Sequence, residues 1–273
     1  MRFLLEPPEP RTLDDLLRCA EAALASGLDG VLLREWAALP GSLVSAAAVA
    51  ARVEDVLVAA EVEVGRRHPV EIAEEAAVTD LTAGGRLILV VRPAPGAPGS
   101  FVESLDVIRH AFSARPFDFL GEHWQVPANL PQNVNAPDER IRVTPAPAQP
   151  RLEVWGVGPA RSAALERALG HLADLEDDDG ALASAWRAAE RFPASIGAPR
   201  ARRERWDGPA ALVGRLRRAR DAWGQDWACV VAPAEAAPEI GSLVRPRVQL
   251  HRLPAGLEQF WDEERPWQCR AGG

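Results

Sequence analysis

Residues 56–91 read VLVAAEVEV-GRR-HPVEIAEEAAVTDLTA-GG-RLILVV, and the fold turns on how that stretch divides. The run 56–64 reads as a strand, and 86–91 is the continuous apolar kind that parallel sheets bury on both faces. Between them His68-Pro69 opens a helix over 70–82, and Gly84-Gly85 ends it in the manner of a left-handed cap. Strand, helix and strand in that order form a parallel βαβ unit.

The same rhythm extends in both directions. Upstream lie a strand at 3–5, a helix at 13–26 capped by Thr12, a strand at 28–33 and an Ala-rich helix at 42–53. Asp14 and Asp15 suit the positive end of the first helix, and Leu13, Leu16, Leu17, Ala20 and Leu24 give it one apolar face. Downstream, 92–100 holds three Pro and two Gly and reads as a loop, followed by a helix at 101–113 and a small excursion at 117–126. The stretch 144–150, TPAPAQP, is extended by its prolines and reads as a connector over one end of the fold. A strand at 152–155, a helix at 162–170, a strand at 171–175, a helix at 181–191, a faint strand at 194–196, a helix at 209–222 and a strand at 227–231 complete eight βα units. The expectation is an α/β protein, a single-domain (β/α)8 TIM barrel over 1–231 with a shortened second half. An irregular tail, 232–273, is expected to pack on the barrel or at an interface.

Composition narrows the function. At 273 residues, 47% hydrophobic and 26% charged, the chain suits one sizeable globular core. A formal charge of −8, from 39 acidic and 31 basic residues, argues against nucleic acid as a partner. All the basic residues are Arg, and the Arg-rich stretches are expected to be solvated helix faces. Cys19, Cys229 and Cys269 form no CxxC pair and no disulfide framework, so a reducing cytoplasm is expected. No apolar stretch of about 18 residues exists to span a membrane. His110, His123, His171 and His251 show no metal-ligand spacing, so no metal site is expected. Glu176-Asp177-Asp178-Asp179 reads as a solvated loop.

Three segments resemble the bacterial luciferase-like family of flavin-dependent oxidoreductases. His68-Pro69, the run Ala76-Ala77-Val78-Thr79-Asp80-Leu81-Thr82-Ala83-Gly84-Gly85-Arg86 and the strand after it are similar to that family's third helix and fourth strand. Phe117-Asp118-Phe119-Leu120-Gly121-Glu122-His123-Trp124 resembles the hairpin before its fifth strand, and residues 143–158 resemble the Pro-rich approach to that strand. Weaker matches are residues 30–35 and 207–231. The resemblance implies a barrel that binds FMN or coenzyme F420 at the C-terminal ends of its strands and acts on a small organic substrate. It further implies a homodimer, or a heterodimer with a related barrel. Heterodimeric luciferases leave a second reading open, a barrel that has lost its cofactor and serves an active homologue as a structural or regulatory subunit.

Candidate site residues follow. Gly156-Val157-Gly158-Pro159-Ala160-Arg161-Ser162 lies between a strand and a helix, where glycines, free N–H groups and the side chains of Arg161 and Ser162 can hold a phosphate; an ordinary turn capped by Ser162 is the alternative. The loop after the fourth strand, Arg92-Pro93-Ala94-Pro95-Gly96, stands where the family carries a glycine turn; its prolines remove N–H donors, and Arg92 is the residue able to compensate by charge. Ala60 is small enough to lie beneath a flavin ring. Glu61 and Glu63 share a strand face and, if it points inward, form a catalytic pair or an internal salt bridge to Arg. Glu35 matches an acidic position of the family, Trp36 after it can stack on a ring, and His68 either moves protons or braces the loop.

Overall fold

Strands buried on both faces need helices on either side of a sheet, or a ring closed around its own side chains. The computed structural model, which describes residues 1–96, 98–113, 115–127, 140–157, 170–189 and 198–249, shows the ring. In the first half, β1 (Arg2–Glu6), β2 (Gly30–Leu33), β3 (Leu57–Val64) and β4 (Leu87–Pro93) alternate with α1 (Leu13–Ala25), α2 (Ser42–Ala50) and α3 (Pro69–Thr82). After β4 come α4 (Pro98–Ala111) and a small antiparallel hairpin, β5 (Phe119–Leu120) with β6 (Gln125–Val126). β7 (Glu153–Val157), β8 (Gly170–Ala173), β9 (Arg200–Arg205) and β10 (Trp227–Val231) complete the circuit, with α5 (Asp179–Ala189) and α6 (Pro209–Trp223) outside them. All barrel pairings are parallel, and β10 returns to β1 in the register Arg2↔Trp227 to Glu6↔Val231. The protein is a single-domain (β/α)8 barrel.

Alternation along each strand separates two cores. Leu4, Leu32, Ala59, Ile88, Val90, Leu172 and Cys229 point into the ring, together with Trp155 and Trp227, which meet edge to face at 5.0 Å. The intervening residues, such as Phe3, Val31, Val58 and Leu89, pack beneath the helices. Two glycines make the ring possible. A Cβ on Gly30 would lie 1.9 Å from the Leu57 carbonyl oxygen, and one on Gly170 would lie 2.1 Å from Cδ1 of Trp155.

β9 corrects the sequence reading in two ways. Its sequence, RARRER, belongs to the Arg-rich stretches expected on solvated helix faces, yet it pairs with β8 and β10 within the ring. The strand expected at 194–196 lies outside the described residues, and β9 holds the place between β8 and β10. The outward Arg202 pairs with Asp179, and the outward Glu204 accepts from Arg215 at 3.1 Å. Inward-pointing Arg203 finds acids from other strands, described below. The acidic run at 176–179 is correspondingly engaged: Asp178 caps α5 by accepting from Gly180 and Ala181, and Asp179 faces Arg202.

Two of the quoted motifs turn out to be braces. Asp80, fully buried on α3, accepts from the Gln149 backbone N–H at 2.9 Å and from the Gln149 side chain at 2.7 Å; that side chain also donates to the Leu87 carbonyl at 2.8 Å. The Pro-rich connector is thereby tied to the start of β4. On α4, Glu103 accepts backbone N–H bonds from Glu122 (2.8 Å), His123 (2.8 Å) and Trp124 (3.1 Å), which fixes the β5–β6 turn. The fold also brings Glu103, Glu122 and His123 within reach of one another, but the Glu103 oxygens are already occupied by those bonds.

The described part of the tail, 232–249, is irregular in a particular way; 250–273 lie outside the described residues. A 3-10 turn (Ala234–Ala236), an α turn (Ala237–Glu239), a π turn (Ile240–Val244) and another α turn (Arg245–Gln249) follow one another without a break. Ala237, Ile240, Val244 and Val248 are buried, and the stretch packs on α1 and α6. No helix among the described residues is long and apolar enough to cross a membrane.

Candidate active site

Catalytic groups of a (β/α)8 barrel sit where its strands end, at the C-terminal rim. Inward positions one step beyond the apolar filling are Glu6 on β1, Arg34 after β2, Glu61 on β3, Arg92 on β4, Asp174 after β8 and Arg203 on β9. Three carboxylates and three guanidinium groups thus form one layer across the mouth. Arg203, its side chain 4% exposed, uses all three nitrogens: Nε to Glu6 at 2.8 Å, Nη1 to Asp174 at 2.5 Å, and Nη2 to Glu61. Arg92 joins Glu61 at 2.8 Å and Asp174 at 3.0 and 3.1 Å. Arg34 Nε pairs with the remaining oxygen of Glu6 at 2.7 Å. The buried members Glu6, Glu61 and Arg203 are tolerable because countercharges meet them. The layer is neutral in sum, although Glu6 Oε1 and Arg34 Nε face each other without hydrogen-bond geometry.

The electrostatics follow from that matching. Burial pushes the Glu6 carboxyl above its usual range, and the charges of Arg203 and Arg34 only partly oppose it. Asp174 is also raised by burial, but its hydrogen bond to Arg92 and the charge of Arg203 outweigh this and hold it below the ordinary value. Beneath the layer lies Cys229, fully buried, whose thiol burial pushes far up.

The structure distributes the anticipated residues unevenly. Glu61 points inward, and both its oxygens pair with arginines, so of its two readings the internal salt bridge is the observed one. Glu63 is exposed at the rim. Arg92 is in the layer, with its charge already matched. Ala60 departs from expectation: its methyl lies in the outer core beneath the helices, and the small residue on the inner face is Ala59. Glu35 follows β2 and is exposed; partial desolvation and then the nearby charge of Glu63 raise its carboxyl. Trp36 packs partly buried, under Arg34 at 5.9 Å, and its indole Nε1 is buried with no acceptor among the described residues. His68 caps α3, its Nδ1 accepting from Val70 N–H at 3.3 Å, and meets Trp124 edge to face at 5.1 Å. Gly156 lies within β7, paired with Val91 and His171, whereas Gly158, Arg161 and Ser162 lie outside the described residues.

Glu6, Arg34, Asp174 and Arg203 were not anticipated. Each stands two residues beyond an inward apolar side chain of its strand, Leu4, Leu32, Leu172 and Ala201. That period-2 continuation was the available signal.

The loop after β4 is held from both sides: Ala94 N–H donates to the Val64 carbonyl at 2.8 Å, and Arg66 donates to the Pro95 carbonyl at 2.6 Å. Neither Pro93 nor Pro95 has an N–H to offer a phosphate.

Comparisons with known proteins agree with this geometry. The family described as luciferase-like monooxygenase matches residues 3–206. Monooxygenase RslO1 from Streptomyces bottropensis superposes with a TM-score of 0.71 at 14% identity, covering 90% of this chain and 99% of that one. The oxygenating constituent of 3,6-diketocamphane monooxygenase from Pseudomonas putida, solved in complex with FMN, gives 0.70 at 15% identity over 91% of this chain and 99% of that one. The coenzyme F420-dependent tetrahydromethanopterin reductase from Methanopyrus kandleri gives 0.68 at 12% identity over 90% and 99%. At these identities the likeness is one of fold. No curated protein sequence matches the chain.

Proposed function

The chain belongs to the luciferase-like monooxygenase family, and from that premise we propose that it is an FMN- or F420-dependent oxidoreductase acting on a small organic substrate at the barrel mouth. The observation that carries this reading is the family match over residues 3–206 on a closed parallel barrel whose charged layer lies at the C-terminal rim. The Trp36 indole on the loop leaving β2, a buried N–H without an acceptor among the described residues, is a further candidate donor to a flavin-type cofactor. When bound, such a cofactor supplies the hydride or oxygen chemistry. The chain's part is to seat and orient it. The ion layer forms a charge-neutral floor, buried at Glu6, Glu61 and Arg203 and partly open at Arg34, Arg92 and Asp174. Trp36 is a candidate donor beside it, and Glu35, with its raised carboxyl, holds or accepts a proton at the rim. Glu61 and Arg92 are positioning members of the floor, and His68 shapes the adjoining loop. The phosphate belongs at the turn after β7, through Gly156, Gly158, Arg161 and Ser162.

One observation favours the second reading, a partner subunit without cofactor: Arg92 is committed to Glu61 and Asp174, and the loop beyond it offers two prolines. Titration of the purified chain with FMN and with coenzyme F420, followed by cofactor fluorescence, separates the two. Saturable binding of either supports the oxidoreductase, and Arg161→Ala should then weaken it about 10-fold or more. Absence of binding of both at tens of micromolar leaves the partner subunit. Association is proposed through α2 and α3, whose Val44, Val78 and Leu81 stand exposed on adjacent helices; sedimentation of Leu81→Glu against wild type tests it.

A further inference from the structure

The arginines of the ion layer are not equally spent. Arg203 uses all three of its nitrogens, and Arg92 uses Nε and Nη2. Arg34 approaches Glu6 most closely through Nε, at a carboxylate whose other oxygen serves Arg203, and makes no hydrogen bond among the described residues. Its Nη1 and Nη2 have no partner among the described residues, although the side chain is 40% exposed and stands at the mouth. Neither Glu35 nor Glu63, the acids closest along the rim, comes within ion-pair distance of it. Glu6, 1% exposed and hydrogen-bonded to Arg203, lies 2.7 Å from Arg34 Nε and holds its charge in place as an ion pair, without hydrogen-bond geometry between the two atoms. Trp36 at 5.9 Å gives it an aromatic flank.

A guanidinium with both terminal amino groups open presents two parallel donors, the geometry that binds a carboxylate through two hydrogen bonds. We infer that the substrate of this mouth is an organic carboxylate, held by Nη1 and Nη2 of Arg34, with its apolar part against Trp36. The single open nitrogen of Arg92 is a second, weaker donor on the far side of β3. Glu6 and Arg203 act as positioning residues, since they touch Arg34 or its anchor. The inference rests on the oxidoreductase reading for what happens to the bound carboxylate, but the binding itself does not require a cofactor.

The test is calorimetric titration of the full chain, without flavin, with acetate, benzoate and octanoate, each against its amide. At least one acid should bind about 10-fold or more tightly than its amide, the scale of a charge-assisted bond. Arg34→Gln should abolish that preference, and Arg34→Lys, which keeps the charge for Glu6 but loses the fork, should retain only part of it. No preference in the wild type, or a preference that survives Arg34→Gln, overturns the inference. Should Arg34→Gln fail to fold, an undiminished preference in Arg34→Lys does the same. A second arm titrates FMN and riboflavin: if Arg34→Gln selectively removes the advantage of FMN, the residue serves a cofactor phosphate and the substrate assignment is wrong. Failure of flavin to bind at all would end the oxidoreductase reading and leave the carboxylate result standing.

Discussion

Arg203 donates to three carboxylates that come from three different strands, and its own charge is stabilised in turn, chiefly by Glu6 and Glu61 against the cost of burial. Removing it leaves buried Glu6 and Glu61 without the cation they share. Arg203→Met should cost about 3–5 kcal/mol, the scale for breaking a buried pair, read as a lowered urea midpoint. Glu103 shows the opposite regime, an accessible acid held by backbone donors. Desolvation raises its carboxyl, but the N–H groups of His123, Glu122 and Trp124 outweigh that and bring it from 4.5 to about 2. A depressed carboxyl contributes stability that is complete above its unfolded value and lost as pH falls through the folded one. Glu103→Gln should therefore flatten the acid limb of the stability curve between pH 4.5 and about 2, measured by thermal melts across that window. At this scale the sequence was half informative. Glu61 and Arg92 were legible as inward or mouth-facing charges, but their partners come from strands far away in the chain, and a pairing over such distance leaves no local pattern.

Elements were legible wherever apolar character carried them. β1 to β4 and β10 are short buried runs, and the capping box of Thr12 and Asp15 starts α1 where its residues indicated. β9 was hidden because its faces are charged on both sides, inward to Glu6 and Glu61, outward to Asp179 and Arg215. Local polarity cannot tell a solvated strand from one whose countercharges arrive from elsewhere in the ring. The connector between the hairpin and β7, expected to be extended by its prolines, runs through several bends, and its anchor was invisible until Gln149 met Asp80. Gln149→Ala removes a donor from a buried carboxylate and from the Leu87 carbonyl, which should lower stability by about 1–3 kcal/mol, detectable as a fall in Tm.

Across the whole molecule, packing places two thiols out of reach, Cys229 inside the ring and Cys19 on the buried face of α1. Cys19 and Cys229 are buried and free, and burial raises the first to about 12 and the second further. A thiol reagent at neutral pH should modify neither until the barrel opens, so their labelling rate should track global unfolding measured by denaturant; prompt labelling of both would show that the ring breathes. The family and the barrel were readable from motif order, because helix caps and glycine turns recur along the chain. The site was less so, since a mouth is assembled from strand ends that only the closed ring brings together.

The bond between Arg203 and Glu6 joins residues 197 positions apart. A nascent chain leaving the ribosome therefore displays Glu6 and Glu61, with only Arg34 and Arg92 to meet them, long before the arginine that joins the two acids is synthesised. Until that codon is read, the half-built cylinder must keep water at its centre to solvate them, and drying of the interior becomes a late, single event that waits on the seventh strand of the ring.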